Sequence, residues 1–150
     1  MKNVFKQDDI VELINRINKL TSTSKALWGK MTVDQMLAHC NVTYELVYDN
    51  IHTKPNIFKK FMLKLFVKNI VVGDKSYKKN ERTAPEFLQT ENKNFENEKK
   101  RLIDYINKTQ LLGEAHFNDK KSHSFGSLTK EEWNIMFIKH LDHHLNQFGV

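Results

Sequence analysis

The chain has 150 residues with a formal net charge of +6; 39% of them are hydrophobic, 28% charged and 11% aromatic. That balance fits one globular domain, residues 1–150, able to remove about 70% of its unfolded surface from water without disulfides. The single cysteine, Cys40, excludes an internal disulfide framework, Lys2, Lys6, Asp8 and Asp9 break up any secretory leader, and no apolar run approaches the ~18 residues of a membrane span, so a cytoplasmic protein without an integral membrane segment is expected.

The first helix is expected over Asp8–Leu20, where Ile10, Leu13, Ile14, Ile17 and Leu20 recur at three- and four-residue steps behind an acidic first turn. The cluster Thr21–Ser24 ends it. Thr32, with Gln35 three residues on, reads as a capping box that opens a second helix running to about Asn50. After Pro55, the segment Ile57–Val72 mixes Phe58, Phe61, Met62, Leu65 and Phe66 with lysines. Apolar residues nearly surround it, which predicts a helical segment clamped between the rest of the fold and something else.

From Lys54 to Arg82 nine basic residues face two acidic ones, a local +7, so the positive excess belongs to one segment. A lysine-rich solvated face and loop explain it. No glycine-rich phosphate loop, paired-cysteine zinc pattern or aromatic single-strand platform accompanies the charge, and no nucleic-acid partner is expected.

Gly73–Gln89 reads as a long surface loop, Glu91–Lys108 as a long exposed helix with a thin stripe of Phe95, Leu102, Ile103 and Ile106, and Gly113–Leu128 as a second loop. His52, His116 and His123 fall in loops and are expected to be solvated. Thr129 caps a last helix, with Glu131 and Glu132 in its first turn, that continues to about Phe148. Four main helices and almost no period-two alternation predict an all-α, antiparallel up-and-down four-helix bundle with an additional hydrophobic helical segment and long loops.

The last helix carries the chemistry. At about 100° per residue, His140 and His144 fall within roughly 20° of Trp133, inside the apolar stripe, while His143 lies at its edge and Asp142 points outward. Imidazoles four residues apart on one helical face place both rings on a single cation. A third ligand has to come from another helix, and His39 is the candidate. Its angle flanks the core stripe of the second helix, which suits a cavity approached from one side but does not single it out. Cys40 points about 100° away from His39, toward the core, and is expected to be structural rather than nucleophilic.

The stretches LWGKMTVDQMLAHC and KHLDHHLNQFGV together resemble the DinB-like (DinB/YfiT) superfamily of metalloenzymes, and most closely an uncharacterised branch ending in HLDHHLNQFG. The resemblance covers nearly the whole chain. It implies an antiparallel four-helix bundle in which His39 and the pair His140 and His144 bind one divalent metal, zinc or nickel. It also implies a small-molecule substrate with a low-molecular-weight thiol as cosubstrate, and a homodimer. Where the superfamily tail usually reads HHRGQ this chain has His143-His144-Leu145-Asn146-Gln147, so an anion-binding role for that arginine does not transfer.

Two functional readings follow. In the first, three neutral imidazoles hold a metal with open coordination positions, serving thiol transfer or, second, metal-assisted hydrolysis. In the rival reading the chain is a non-catalytic helical module with a vestigial or structural metal, docking a partner or membrane surface through Ile57–Val72. The loops Gly73–Gln89 and Lys120–Leu128 are expected to shape the mouth of the cavity. His123 is left out of the ligand set, because His140 lies 11 residues past Thr129, about 16 Å along the helix axis.

Overall fold

The computed structural model describes residues 2–49 and 51–150. Among them are six α-helices, one turn of 3-10 helix and one two-stranded sheet.

Helix α1 (Gln7–Asn18) turns Ile10, Leu13 and Ile17 into the core and packs on α5 (Phe95–Phe117). It stops short of the expected Leu20, which is buried just beyond the helix end while Thr21 and Ser24 satisfy each other's polar groups in the turn. Helix α2 (Val33–Tyr48) starts at the expected capping box, with Thr32 N donating to Gln35 Oε1 at 3.1 Å. The expected end at Asn50 lies outside the described residues. Every residue of α2 from Met36 to Glu45 is buried, because α5 packs on it from one side and α6 (Lys130–Gln147) from another.

A polar seam fixes the register of α2 on α5. Asn41 Nδ2 donates to Glu98 Oε2 at 2.8 Å, Arg101 pairs with Glu45, Tyr105 donates to Asp49, and the Tyr48 and Thr109 hydroxyls meet at 2.7 Å. Burial of polar side chains is tolerated here because most of their polar atoms find a partner across the helix pair, the Asn41 Oδ1 being an exception.

The hydrophobic segment departs from expectation twice. It breaks at Val67 into α3 (Ile57–Phe66) and α4 (Lys68–Val72), and α3 has no buried residue. Of α3 only the inner edge, at Leu63 and the following Val67, touches the core, while α4 packs on α6 and buries Val72. The expected clamp is absent among the described residues, since near-complete apolarity reports what a helix is made of and not what covers it.

Beyond it, the Gly73–Gln89 segment is irregular apart from the 3-10 turn Pro85–Phe87. Helix α5 starts later than expected, at a cap where the Asn94 side chain accepts from Asn97 N, and runs past Lys108 to Phe117. Gly113, at φ 71°, kinks it, a conformation that costs glycine little, and the redirected last turn brings Phe117 fully into the core. The second expected loop is therefore the end of α5 followed by a hairpin, β1 (Lys120–Ser122) paired antiparallel with β2 (Gly126–Leu128). Strands of three residues are too short for alternation to register in sequence.

Helix α6 begins at Thr129 with both halves of a capping box. Its hydroxyl accepts from Glu132 N at 3.2 Å and Glu132 Oε2 accepts from Thr129 N at 3.1 Å. Replacing Thr129 with alanine removes this pairing and is expected to destabilise the fold by about 1 kcal/mol, measurable by urea unfolding. No helix among the described residues is long and apolar enough to cross a membrane.

Candidate metal centre

The two capped helices, α2 and α6, bring three histidines together. His39 comes from α2 and His140 and His144 from successive turns of α6, and one ring nitrogen of each lies within 4.8 Å of the others. The ring centroids form a nearly equal-sided triangle: 4.5 Å from His39 to His144, and 4.9 Å from His140 to each of the other two. His39 and His144 are buried and His140 is half-buried.

The far nitrogens determine what the near ones offer. His39 Nδ1 donates to the carbonyl oxygen of Phe87 at 2.9 Å, since a carbonyl only accepts. Gln147 Nε2 donates to the Trp28 carbonyl at 2.8 Å, which turns Gln147 Oε1 toward His144 Nδ1 as an acceptor at 2.8 Å. In both neutral rings Nε2 is therefore left as a lone pair. His140 Nδ1 lies 3.0 Å from Thr43 Oγ1, and this hydroxyl accepts from one tautomer and donates to the other. His39 Nε2 and His140 Nε2 are 3.0 Å apart.

Two nitrogens bound at about 2.0–2.1 Å to one ion stand roughly 2.9–3.4 Å apart for angles between square and tetrahedral. The 3.0 Å separation falls in that range. The outer partners are those that orient metal-bound imidazoles: a backbone carbonyl, a side-chain amide and a hydroxyl. By donor type the three histidines fit a divalent cation, with His39 and His140 at ligand spacing and all three donor nitrogens within 4.8 Å of one another.

Protonation points the same way. Burial, reinforced by the neighbouring imidazoles His39 and His143, pulls His144 from 6.5 down to about 3. Burial and the three imidazoles around it hold His140 well below its ordinary value, and burial lowers His39 despite the Phe87 carbonyl. Neutral ligands at neutral pH are what a cation requires. In the metal-free protein this has a cost in acid. The unfolded chain protonates these rings near 6.5 while the folded chain resists. The stability they permit is complete above about pH 6.5 and is lost as pH falls toward about 3. Urea unfolding of chelator-treated protein across that range should show the decline.

Residues far away in sequence build the surroundings. The Phe87 ring lies 5.3 Å from His39 and 5.6 Å from His140, and Tyr77 lies 6.4 Å from His140 and 5.6 Å from His143. Thus the Gly73–Gln89 segment flanks the histidines, whereas the Lys120–Leu128 hairpin, expected beside them as well, makes no hydrogen bond or ring contact with them among the described residues. His143, placed by sequence at the edge of the stripe, is half-buried between Tyr77 and Trp28, with its ring 5.0 Å from that of His144. The loop before α2 is tied to the end of α6, where Leu27 N donates to Gln147 O at 2.8 Å. Gly29, at φ +83°, leaves room for this: a Cβ there would stand 2.5 Å from Gln147 Nε2. Thr43, Gln147, Trp28, Tyr77 and Phe87 were not singled out in the sequence. Thr43 follows His39 by four residues and Gln147 follows His144 by three, so helical spacing alone placed both on the histidines' faces.

The other candidates fall elsewhere. Cys40 is buried in the core, its Sγ contacting Met36 Sδ at 3.7 Å, and burial raises its thiol far above the usual range. Cys40→Ala should keep the metal-binding capacity and cost about 1–2 kcal/mol of packing, and the native thiol should resist thiol reagents until the protein unfolds. His116 lies on the last turn of α5 rather than in a loop, although it is exposed as expected. His52 is not simply solvated; it pairs with Glu45 Oε2 at 2.7 Å. His123 is half-buried at the hairpin turn, with Nδ1 3.0 Å from Ser124 Oγ, and it faces His52, Glu86 and Lys54 rather than the three histidines.

A family model described as Protein of unknown function (DUF1569) matches residues 2–149. No curated protein and no solved structure matches the chain.

Proposed function

The chain belongs to the DUF1569 family, and we propose that it is a metal-dependent enzyme in which His39, His140 and His144 hold one divalent cation, zinc or nickel. The observation that carries this reading is the arrangement of three converging imidazoles, two with Nδ1 committed to fixed acceptors and the third facing a hydroxyl that serves either tautomer. The proposal includes the DinB-like relationship suggested by the sequence, with α1, α2, α5 and α6 as the four helices of an up-and-down bundle.

A cation held by three protein ligands keeps exchangeable positions, and it lowers the pKa of a bound thiol or water and polarises an electrophile. The protein's own part is positional. Phe87 O, Thr43 and Gln147 hold the rings in the orientation that aims Nε2 inward, which removes the need to order them during turnover. Phe87 and Tyr77 place aromatic surface beside half-buried His140, limiting water there. His143, between Tyr77 and Trp28, is a titratable group at the rim within reach of a proton released or taken up there.

Thiol transfer from a low-molecular-weight thiol to a small electrophile is the first reaction class, and hydrolysis the second. The deciding experiment loads metal-free protein with zinc or nickel and follows thiol consumption and ester hydrolysis in parallel, with His143→Gln as a variant expected to retain metal and lose turnover. Loaded protein inactive in both assays against a broad electrophile panel would leave the metal without a catalytic role. Gln147→Ala should weaken metal binding about 10–100-fold by freeing His144, read by competition with a chromogenic chelator.

A further inference from the structure

Helix α3 projects its apolar side chains outward: Ile57 is 91% exposed, Phe58 74%, and Phe61 and Phe66 61% each. At about 100° per residue these residues and Leu65 cover one half of the helix, with Lys59 along one edge and Lys60 and Lys64 along the other. The opposite, inner edge is Leu63 and Val67, which rest on the core. An apolar face of this size on a lysine-bordered helix is not the surface of an ordinary soluble helix. Its ten residues are too few to span a bilayer.

We propose that α3 docks the protein on an anionic phospholipid surface, lying in the plane of the interface with its phenylalanines among the acyl chains and its lysines at the headgroups. Charge selects this occupant. From Lys54 to Val72 there are five lysines and no acidic residue. Lys59 is engaged by Glu86 and Lys68 by Glu132, while among the described residues no acid pairs with Lys54, Lys60 or Lys64. In the following segment the exposed Lys75, Lys78, Lys79 and Arg82 outnumber the exposed acids Asp74 and Glu81 by two. A second copy seated face to face on α3 would bring two such lysine borders together with no carboxylate on either helix to meet them. An anionic bilayer supplies both the apolar depth and the opposite charge, at about 1 kcal/mol for each basic residue near its surface. The proposal stands on α3 and is independent of what the histidines bind.

The test is co-sedimentation of the full chain with extruded vesicles of phosphatidylcholine alone and of an equimolar mixture of phosphatidylcholine and phosphatidylglycerol. Binding is expected to the mixed vesicles, to fall steeply as salt is raised, and to be at least tenfold weaker to the neutral ones. Lys60→Gln and Lys64→Gln should each weaken it about fivefold. The double variant Phe58→Ser, Phe61→Ser should weaken it at least tenfold, and circular dichroism should be unchanged because both side chains are already in solvent. Equal binding to both vesicle types, no binding to either, or a lipid-free dimer that the double variant dissolves would overturn the proposal.

Discussion

Alanine at His39, His140 or His144 is expected to cost the protein its divalent cation: stoichiometry near one per chain in the parent falls toward zero, and the remaining affinity for zinc or nickel drops roughly hundredfold or more in each single variant. The size follows from the donor count. With three protein nitrogens within 4.8 Å of one another, each supplies about a third of the coordination the chain offers. Metal analysis of untagged protein and a competition titration measure it. Adding metal to the parent should also raise its unfolding temperature, by an amount equivalent to about 2.7 kcal/mol at a hundredfold excess over the dissociation constant, and this gain should vanish in the variants. If all three keep parental affinity and stoichiometry, the cation is held elsewhere or not at all.

Phe137→Ala should produce the largest loss of stability among core substitutions. Phe137 is 1% exposed and lies at the junction of an aromatic cluster, with ring centroids 5.0 Å from Tyr44, 5.6 Å from Trp133 and 5.7 Å from Phe117. Those rings come from α2, α6 and the last turn of α5, so no single element can collapse to fill the space. Truncation of such a residue costs about 3–5 kcal/mol, and in a chain of this length that corresponds to a fall of roughly 10 °C in the unfolding temperature. Phe137 also lies three residues before His140, on the same helix, and the variant at low temperature should still bind metal while unfolding earlier on heating. A change below about 1 kcal/mol would mean that the cluster repacks, contrary to the rigid junction described.

The starts of α2 and α6 were the most legible features, whereas that of α5 was misplaced by four residues. Thr32 with Gln35 and Thr129 with Glu132 are short-range chemical pairings, satisfied within one turn, and both appear where the residues put them. The inward face of α6 was legible for the same reason: four-residue spacing places His140 and His144 side by side whatever the helix packs against. Cys40 was read correctly as a core residue. Helix α2 shows where this reasoning stops. Its apolar stripe gave His39 an equivocal angle because a stripe assumes one covered side, whereas α2 is covered nearly all round. The same assumption failed in the opposite sense for α3, whose apolar residues are exposed.

What the sequence by itself determined is therefore what neighbouring residues settle among themselves: a chain that is mostly helical, the capped starts of α2 and α6, and a pair of histidines on one face. The tertiary structure decided the rest, because the relevant partners are distant along the chain. His39 meets His140 across 101 positions, and Phe87, from an otherwise irregular segment, reaches back 48 positions to fix its tautomer. Gln147 is oriented by Trp28 from 119 positions away. Helical periodicity states which side chains share a face. Which face meets which follows from how the whole chain buries its apolar surface while pairing most of its buried polar groups, and that is a property of the packed molecule.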